Sequence, residues 1–483
     1  SAASDVYKRQ QRALFAAADK LADLPELVSI QSYAGTSAPF NFNGLVRHYY
    51  FRNGSELGDL AINLTPKSER KRSSHAIALD IRERMAGVTF PKDARIKVVE
   101  VPPGPPVLAT LLAEIYGPDE PSRRALAQKV KQAFAQVDFV KDIDDSYGLQ
   151  GERLRFSINQ QALEYHGVEE QAVYDTLGAL IGGVRVGYSQ RGGLKPIEIM
   201  VALPKSERLV SEKILSTPLP AGGTVRQGKN VELGDVVTLT REPTSYPIFR
   251  HNGRFVEMVS AEVAGRFEAP IYGMLAVEDE IKKLDWSHTD APFIKYHGQP
   301  VEDTKPTLLW DGEWEVTYVT FRDMGAAFVV AILGIYLLVV MQFGSFLLPL
   351  VILVPVPLTL IGIMFGHYLF NAAFTATSMI GFIALAGIIV RNSILLVDFI
   401  RHARAQGMAL RPALLEAGAT RFKPIVLTAA AAMIGAAFIL SDPIFQGLAI
   451  SMVFGLASST ALTVLVIPAL YVWLRDDGKE MSL

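Results

Sequence analysis

The chain has 483 residues, 47 basic against 49 acidic, a formal net charge of −2 and no cysteine. That balance excludes the strongly basic footprint of a nucleic-acid binder. It also removes disulfide frameworks, thiolate metal sites and cysteine nucleophiles together, and is compatible with an oxidising compartment. Charge is spread unevenly, with a sharp change near Asp323: the first two-thirds read as water-soluble, whereas Met324 to Leu474 is dominated by Ala, Ile, Leu, Val, Phe and Gly. Windows of roughly 20 such residues suffice for a helix to cross a bilayer, so the sequence predicts a multi-span membrane protein carrying a large soluble domain.

In chain order, the opening SAASDVYKRQ has no initiating Met and no signal-like apolar core, and reads as a foreign or unstructured prefix within an N-terminal segment 1–24. Thr65-Pro66 predicts a helix start, a hydroxyl N-cap followed by Pro, with Ile77, Leu79, Ile81 and Met85 as its apolar face. A strand-like run, Val107 to Tyr116, precedes a helix after Pro121 with Leu126, Val130 and Phe134 on one side. This order of strand, helix, strands and helix predicts a split βαβ unit of α+β type.

A second unit begins near Val137. Leu154, Phe156 and Ile158 alternate as in a half-buried strand, and a helix from Gln160 is predicted to stop at Gly182-Gly183. Short Gly- and Pro-rich strands between Val184 and Arg250, a hairpin at Asn252-Gly253 and a late helix Pro270 to Leu284 imply a β-rich module inserted in this second unit.

No catalytic or metal constellation emerges, so the chain reads as a non-enzyme with no cofactor and no metal. His48, His75, His166, His251, His288 and His297 lack metal-ligand spacing and read as isolated surface or hydrogen-bonded histidines. Gly182-Gly183 and Gly222-Gly223 lack the surroundings of a phosphate loop. The pairs Asp144-Asp145 and Glu169-Glu170 read as solvated faces. The stiff segment Val101 to Pro106 reads as a turn, or as the lining of a cleft. Trp310 and Trp314 suit a membrane-interface belt, with core packing as the alternative.

Five spans are predicted: Met324 to Met341, Phe346 to Phe365, Ala376 to Ile400, Pro424 to Leu440 and Ile444 to Leu474. The connector Arg401 to Lys423 holds Arg401, Arg404, Arg411, Arg421 and Lys423 against Glu416, which predicts that it is cytoplasmic and the soluble domain outside. Pro349, Pro355 and Pro357 break the second span, while Gly447, Ser451, Gly455 and Ser459 form a small-residue ridge on the last, so the spans should pack as a bundle.

The stretch IGFIALAGIIVRNSILLVDFIR, Ile380 to Arg401, carries Arg391 and Asn392 at its middle. A cation at mid-membrane costs roughly 2.5–3.5 kcal/mol on insertion scales, so it implies function and a counter-charge. The one acid within the predicted spans is Asp398, two turns or roughly 10 Å along the same face, too far for a direct bridge. The main partner of Arg391 is therefore expected elsewhere. Arg421 and Thr428 repeat the seven-residue spacing on the next span.

The strings MQFGSFLLPLVILVPVPL, ALAGIIVRNSILLVDF and RFKPIVLT resemble the C-terminal half of resistance-nodulation-division efflux transporters of the hydrophobe/amphiphile multidrug type, over nearly the whole chain. The resemblance implies a proton-driven, homotrimeric, multi-pass bacterial inner-membrane exporter of small molecules, working with a periplasmic adaptor and an outer-membrane channel. It implies ferredoxin-like periplasmic porter subdomains at 25–136 and at 137–182 with 254–286, a docking module at 183–253, a linker at 287–323 and a five-helix bundle at 324–475. It places Arg391, Asn392, Asp398, Arg421 and Thr428 at a proton relay, Arg391 standing where many relatives have Lys, with acidic partners on a span of a missing N-terminal half. Arg stays charged in any protein setting, so the acids rather than Arg391 would carry the proton. A pocket rich in aromatic residues is not evident in Lys97 to Tyr116, and Met85 alone in the first subdomain argues against copper or silver as cargo. Alternatives are a heavy-metal-exporting relative, a secretion-machinery accessory that binds exported polypeptide, and a single-span anchored binding protein, which five spans speak against.

Overall fold

The computed structural model describes residues 2–39, 41–49, 52–90, 94–100, 107–148, 150–190, 196–204, 212–220, 231–265, 269–287, 290–442 and 444–475. The segments Val101–Pro106 and Gly222-Gly223, and His288, lie outside the described residues.

The N-terminal lobe contains the helix Ala2–Leu21, an antiparallel hairpin of strands Leu27–Thr36 and Asn53–Leu64, and the helix Ser74–Ala86. Ala2–Leu21 is therefore helical rather than unstructured, and Ala17 and Leu21 join Ile77, Ile81 and Met85 in one apolar cluster. The second helix starts later than Thr65-Pro66 predicts. Pro66 precedes only a short 3-10 turn, Lys67–Glu69, and the α-helix is capped by Ser73, whose hydroxyl accepts from the Ala76 amide at 3.2 Å.

The centre of the soluble region is a five-stranded sheet in the order Phe293–Lys295, Thr307–Gly312, Leu111–Tyr116, Glu257–Val263, Val140–Asp145. Its last four strands pair antiparallel with one another in turn, while the edge strand Phe293–Lys295 is parallel to Thr307–Gly312, and helices Glu120–Gln136 and Pro270–Lys283 make the two connections. This is a split βαβ unit assembled across the predicted 136/137 boundary. Hydrogen bonding decides it: Leu111–Tyr116 pairs with Glu257–Val263 and Thr307–Gly312, not with the N-terminal hairpin. Leu126, Val130 and Phe134 are buried as predicted, against Leu111, Ala113, Ile115, Val259 and Met274. Trp310 belongs to this core and not to an interface belt. It is 1% exposed, its indole donates to Glu278 Oε1 at 2.8 Å, and its ring lies 5.9 Å from that of Phe134. Trp314 donates to the Tyr296 carbonyl at 2.8 Å.

The inserted module begins earlier than residue 183. Strand Glu152–Ile158 leaves the sheet and pairs with Val237–Pro243, closing a separate core around Leu163, Val173, Leu233 and Val236. Its helical segment is two helices, Gln160–His166 and Glu170–Ile181, because Gly167 takes a left-handed conformation (φ 64°) that ends the first. The Asn252-Gly253 hairpin forms as read, with both residues at positive φ.

Among the described residues, four helices are long and apolar enough to cross a membrane: Glu313–Phe343, the broken pair spanning Leu348–Leu369, Ala376–Ala405 and Gln446–Leu474. The fifth predicted span is a helix, Leu410–Ala437, but Arg411, Glu416, Arg421 and Lys423 occupy its first half and Pro424 lies inside it. Its apolar part is correspondingly short. The helix Ala376–Ala405 reaches beyond Arg401 and Arg404, so the positive connector is largely helical and only residues 406–409 lie between the two helices. The last helix packs against the second and third. A Cβ at Gly447 would strike the Ser378 hydroxyl, and one at Gly455 would strike Leu385, so the small ridge permits this close approach.

Candidate proton-coupling site

The third apolar helix, Ala376–Ala405, opens with a reciprocal cap between Thr375 and Ser378. Leu385, Ile389, Ser393, Leu396 and Ile400 are buried against the bundle. The opposite side is an exposed stripe at helical spacing: Ala384, Gly387, Arg391, Leu395, Asp398 and His402. Arg391 and Asp398 thus share one uncovered face, and Asn392 at its edge is half-buried. Among the described residues no ion pair within 4.0 Å is formed by Arg391 or Asp398, and no hydrogen bond reaches either side chain.

Arg421, on Leu410–Ala437, lies with its guanidinium 5.7 Å from the Phe399 ring centroid, one residue beyond Asp398. Its Nε is buried without a hydrogen-bond partner. Thr428 is exposed and folds its hydroxyl back onto its own helix, donating to the carbonyls of Pro424 at 2.8 Å and Ile425 at 2.9 Å. The structure therefore brings Arg391 and Asp398 onto one face and docks Arg421 beside it, but leaves Thr428 without a contact to the others among the described residues. Arg401, read as part of a positive loop, instead caps the first apolar helix: its guanidinium donates to the Phe343 carbonyl at 3.1 Å.

A second polar region escaped the sequence reading. Arg47, Arg82, Arg95 and Lys97 of the N-terminal lobe reach Glu262, Asp142 and Asp144-Asp145 of the sheet. Arg82 Nη2 is 2.9 Å from Asp142 Oδ2, and Lys97 Nζ is 2.5 Å from Asp144 Oδ2. Asp145, expected on a solvated face, has a side chain only 2% exposed, bound by Lys131 at 2.5 Å and by Arg95 at 3.2 Å. Glu169-Glu170 is exposed as expected. Burial holds the Asp142 carboxyl above its ordinary range despite Arg82. Burial also pushes Asp144 upward, but Lys97 and Arg95 together outweigh it and leave the group below that range. Between lobe and sheet lies a cavity of about 190 Å³ lined by Arg47, Tyr49, Lys97, Asp142, Met258 and Glu262. No local pattern could have revealed it, because its walls come from segments far apart in the chain.

The family model described as "AcrB/AcrD/AcrF family" matches residues 15–475. The chain is similar to the swarming motility protein SwrC of Bacillus subtilis, 28% identical over 373 residues covering 76% of this chain and 33% of that protein. It is similar to the cobalt-zinc-cadmium resistance protein CzcA of Cupriavidus metallidurans, 26% identical over 86% of this chain and 38% of the relative. It is also similar to the multidrug resistance protein MdtC of Salmonella paratyphi A, 24% identical over 88% of this chain and 40% of the relative. The chain thus spans between a third and two-fifths of the length of these relatives. In fold it matches the crystal structure of a heavy metal efflux pump with a TM-score of 0.74 and 19% identity, over 98% of this chain and 46% of that one. By these matches, the chain belongs to the AcrB/AcrD/AcrF family of resistance-nodulation-division permeases.

Proposed function

We propose that this chain is the C-terminal half of a proton-driven inner-membrane exporter, and that Arg391 is the fixed cation of its coupling site. The observation that carries the reading is the open face of the third apolar helix, where Arg391 and Asp398 lie uncovered and unpaired among the described residues. In a bilayer such a face needs a covering element, and Arg391 needs an acid on it. The acids come from a segment outside this chain. When they are ionised they attract Arg391; when they take up protons the attraction is lost and the helices rearrange. The membrane potential contributes about 2.3 kcal/mol per charge per 100 mV to that cycle. Arg421 and Thr428 line the neighbouring helix as auxiliary groups of the same relay.

The soluble region serves as the periplasmic porter, with the cavity between lobe and sheet as part of the substrate path and the module around Glu152–Pro243 as the docking element. A homotrimer working with a periplasmic adaptor and an outer-membrane channel completes the assembly. The cargo is an amphiphilic small molecule with polar or charged groups, since Arg47, Lys97, Asp142 and Glu262 line the cavity. The heavy-metal reading is favoured by relatives named for cobalt, zinc and cadmium resistance. Against soft-metal export stands Met85, which is buried in the lobe core rather than turned to the cavity.

The test is efflux of a fluorescent amphiphile from cells making the complete permease. Arg391→Ala should reduce efflux to that of cells without the pump, at unchanged expression and trimer content. Full efflux by a well-expressed variant would contradict the coupling role. Protection against Co²⁺ or Zn²⁺, with no amphiphile efflux by the unaltered protein, would replace the cargo assignment by the metal one.

A further inference from the structure

The sheet face turned away from its two helices holds a buried group that neither the coupling site nor the cavity uses. Glu114, on the central strand Leu111–Tyr116, is 0% exposed. Asp311 lies on the neighbouring strand, where its residue pairs with Leu112, and His251 reaches the same spot from the Asn252-Gly253 hairpin. His251 Nδ1 is 2.6 Å from Glu114 Oε1 and 4.0 Å from Asp311 Oδ2, and one ligand atom from each of the three lies within 4.8 Å of the others.

Two details distinguish this from an ordinary ion pair. Glu114 Oε1 and His251 Nδ1 are both buried atoms that lack a hydrogen bond of acceptable geometry, although they face each other. A buried carboxylate oxygen left so is costly unless something else is bound to it. Charge is also out of balance. Glu315, in the first turn of the first apolar helix, lies close enough to Asp311 for the two side chains to interact, so three acidic side chains lie about one imidazole. No Lys or Arg among the described residues forms an ion pair with Glu114, Asp311 or Glu315.

We propose that Glu114, His251 and Asp311 form a binding site for a divalent transition-metal cation of the Zn²⁺ class. One imidazole nitrogen and two carboxylate oxygens suit such a borderline ion, with Glu315 or water at the remaining position, whereas Mg²⁺ and Ca²⁺ prefer oxygen-only sets. Supporting groups are in place to orient the ligands. Tyr116 donates to Glu114 Oε2 at 2.6 Å, and Gln299 Nε2 donates to the Tyr116 hydroxyl at 3.0 Å and to the His251 carbonyl at 2.9 Å. The site sits where the hairpin returning from the inserted module, the sheet, and the start of the helix Glu313–Phe343 meet. A bound cation ties these three elements together, independently of what the permease exports.

The experiment uses the complete permease in detergent, stripped with a chelator and titrated with ZnCl₂ by calorimetry, with MgCl₂ as the comparison. Thermal unfolding is followed in parallel. The expected result is about one Zn²⁺ site per protomer, a rise in Tm on Zn²⁺ addition, and no equivalent Mg²⁺ binding. His251→Gln and Asp311→Asn should each abolish that site while keeping the Tm of the metal-free parent. Gln299→Ala should weaken it by about tenfold. Should Glu114→Gln fail to fold, the two partly exposed positions carry the test. Zn²⁺ binding of equal stoichiometry and affinity in the parent, His251→Gln and Asp311→Asn would overturn the assignment, as would absence of Zn²⁺ binding by the parent. Both readouts are independent of export, so they stand or fall separately from the proposed transport role.

Discussion

In the soluble region, cations find anions within the chain: Arg82 meets Asp142, Lys97 meets Asp144, and Arg95 with Lys131 neutralises the buried Asp145. On the third apolar helix, Arg391 and Asp398 face outward with no such partner among the described residues. Water tolerates an unpaired surface charge at little cost, but hydrocarbon does not. The contrast teaches that the contact between lobe and sheet pairs its charges within the chain, whereas the third apolar helix leaves Arg391 and Asp398 unpaired among the described residues, which the proposed function reads as half of a site.

The sharpest test of the paired side is Arg82→Ala. The side chains of Arg82 and Asp142 are 13% and 9% exposed, so the change leaves a buried carboxylate without its cation and should cost about 3 kcal/mol near neutral pH. Burial already holds the Asp142 carboxyl above its ordinary range, and a carboxyl so raised contributes stability that is present below its unfolded pKa and lost as pH rises through the folded one. The deficit of Arg82→Ala should therefore shrink on acidification, measured by chemical unfolding of the soluble region at several pH values. A deficit independent of pH would break the electrostatic account of the pair.

Packing of the apolar helices is probed by Gly455→Val. The added carbon atoms collide with Leu385 and Ile363, so the variant should lose about 2 kcal/mol or misassemble, read as thermal stability in detergent. An unchanged Tm would mean the small ridge is not a contact surface. Lys97→Ala should cost under about 1 kcal/mol, because the pair is a third exposed at Lys97. The Asp144 carboxyl's own contribution has the opposite sign with pH to that of Asp142, although both deficits shrink on acidification. Asp144 is held below its ordinary range, so its contribution exists above its unfolded pKa and disappears as pH falls through the folded one; the Lys97→Ala deficit should vanish there. Smallest of all, Arg391→Ala should alter the stability of this chain by within about 0.5 kcal/mol, since no partner among the described residues is lost. A large loss would place its partner inside the chain and break the comparison.

Much of the membrane organisation was legible because helical period and apolar run length are local properties. The Arg391–Asp398 face follows from a seven-residue spacing alone, and the ridge from Gly447 to Ser459 from a four-residue one. Local chemistry also revealed the Asn252-Gly253 hairpin and the helix after Pro121. Sheet pairing was not legible: Leu111–Tyr116 is flanked by strands that arrive long after it in sequence, which moved the subdomain boundary. Ser73 outcompeted Thr65-Pro66 as a cap because both are plausible starts and only tertiary burial of Ile77 and Ile81 decides between them. Trp310 looked like a belt residue until Glu278 supplied its indole partner, and Asp145 looked solvated until Lys131 and Arg95 covered it. Likewise, His251 looks isolated in sequence because Glu114 and Asp311 come from other strands.

The central claim is that Arg391 exchanges its contact with acids outside this chain as they take up and release protons. The most direct measurement is substrate-dependent proton flux by the complete permease in proteoliposomes under an imposed pH gradient, comparing the parent with Arg391→Ala. The account predicts that the variant remains folded and trimeric, binds substrate, and shows no substrate-dependent flux. Flux at the parental level would contradict it.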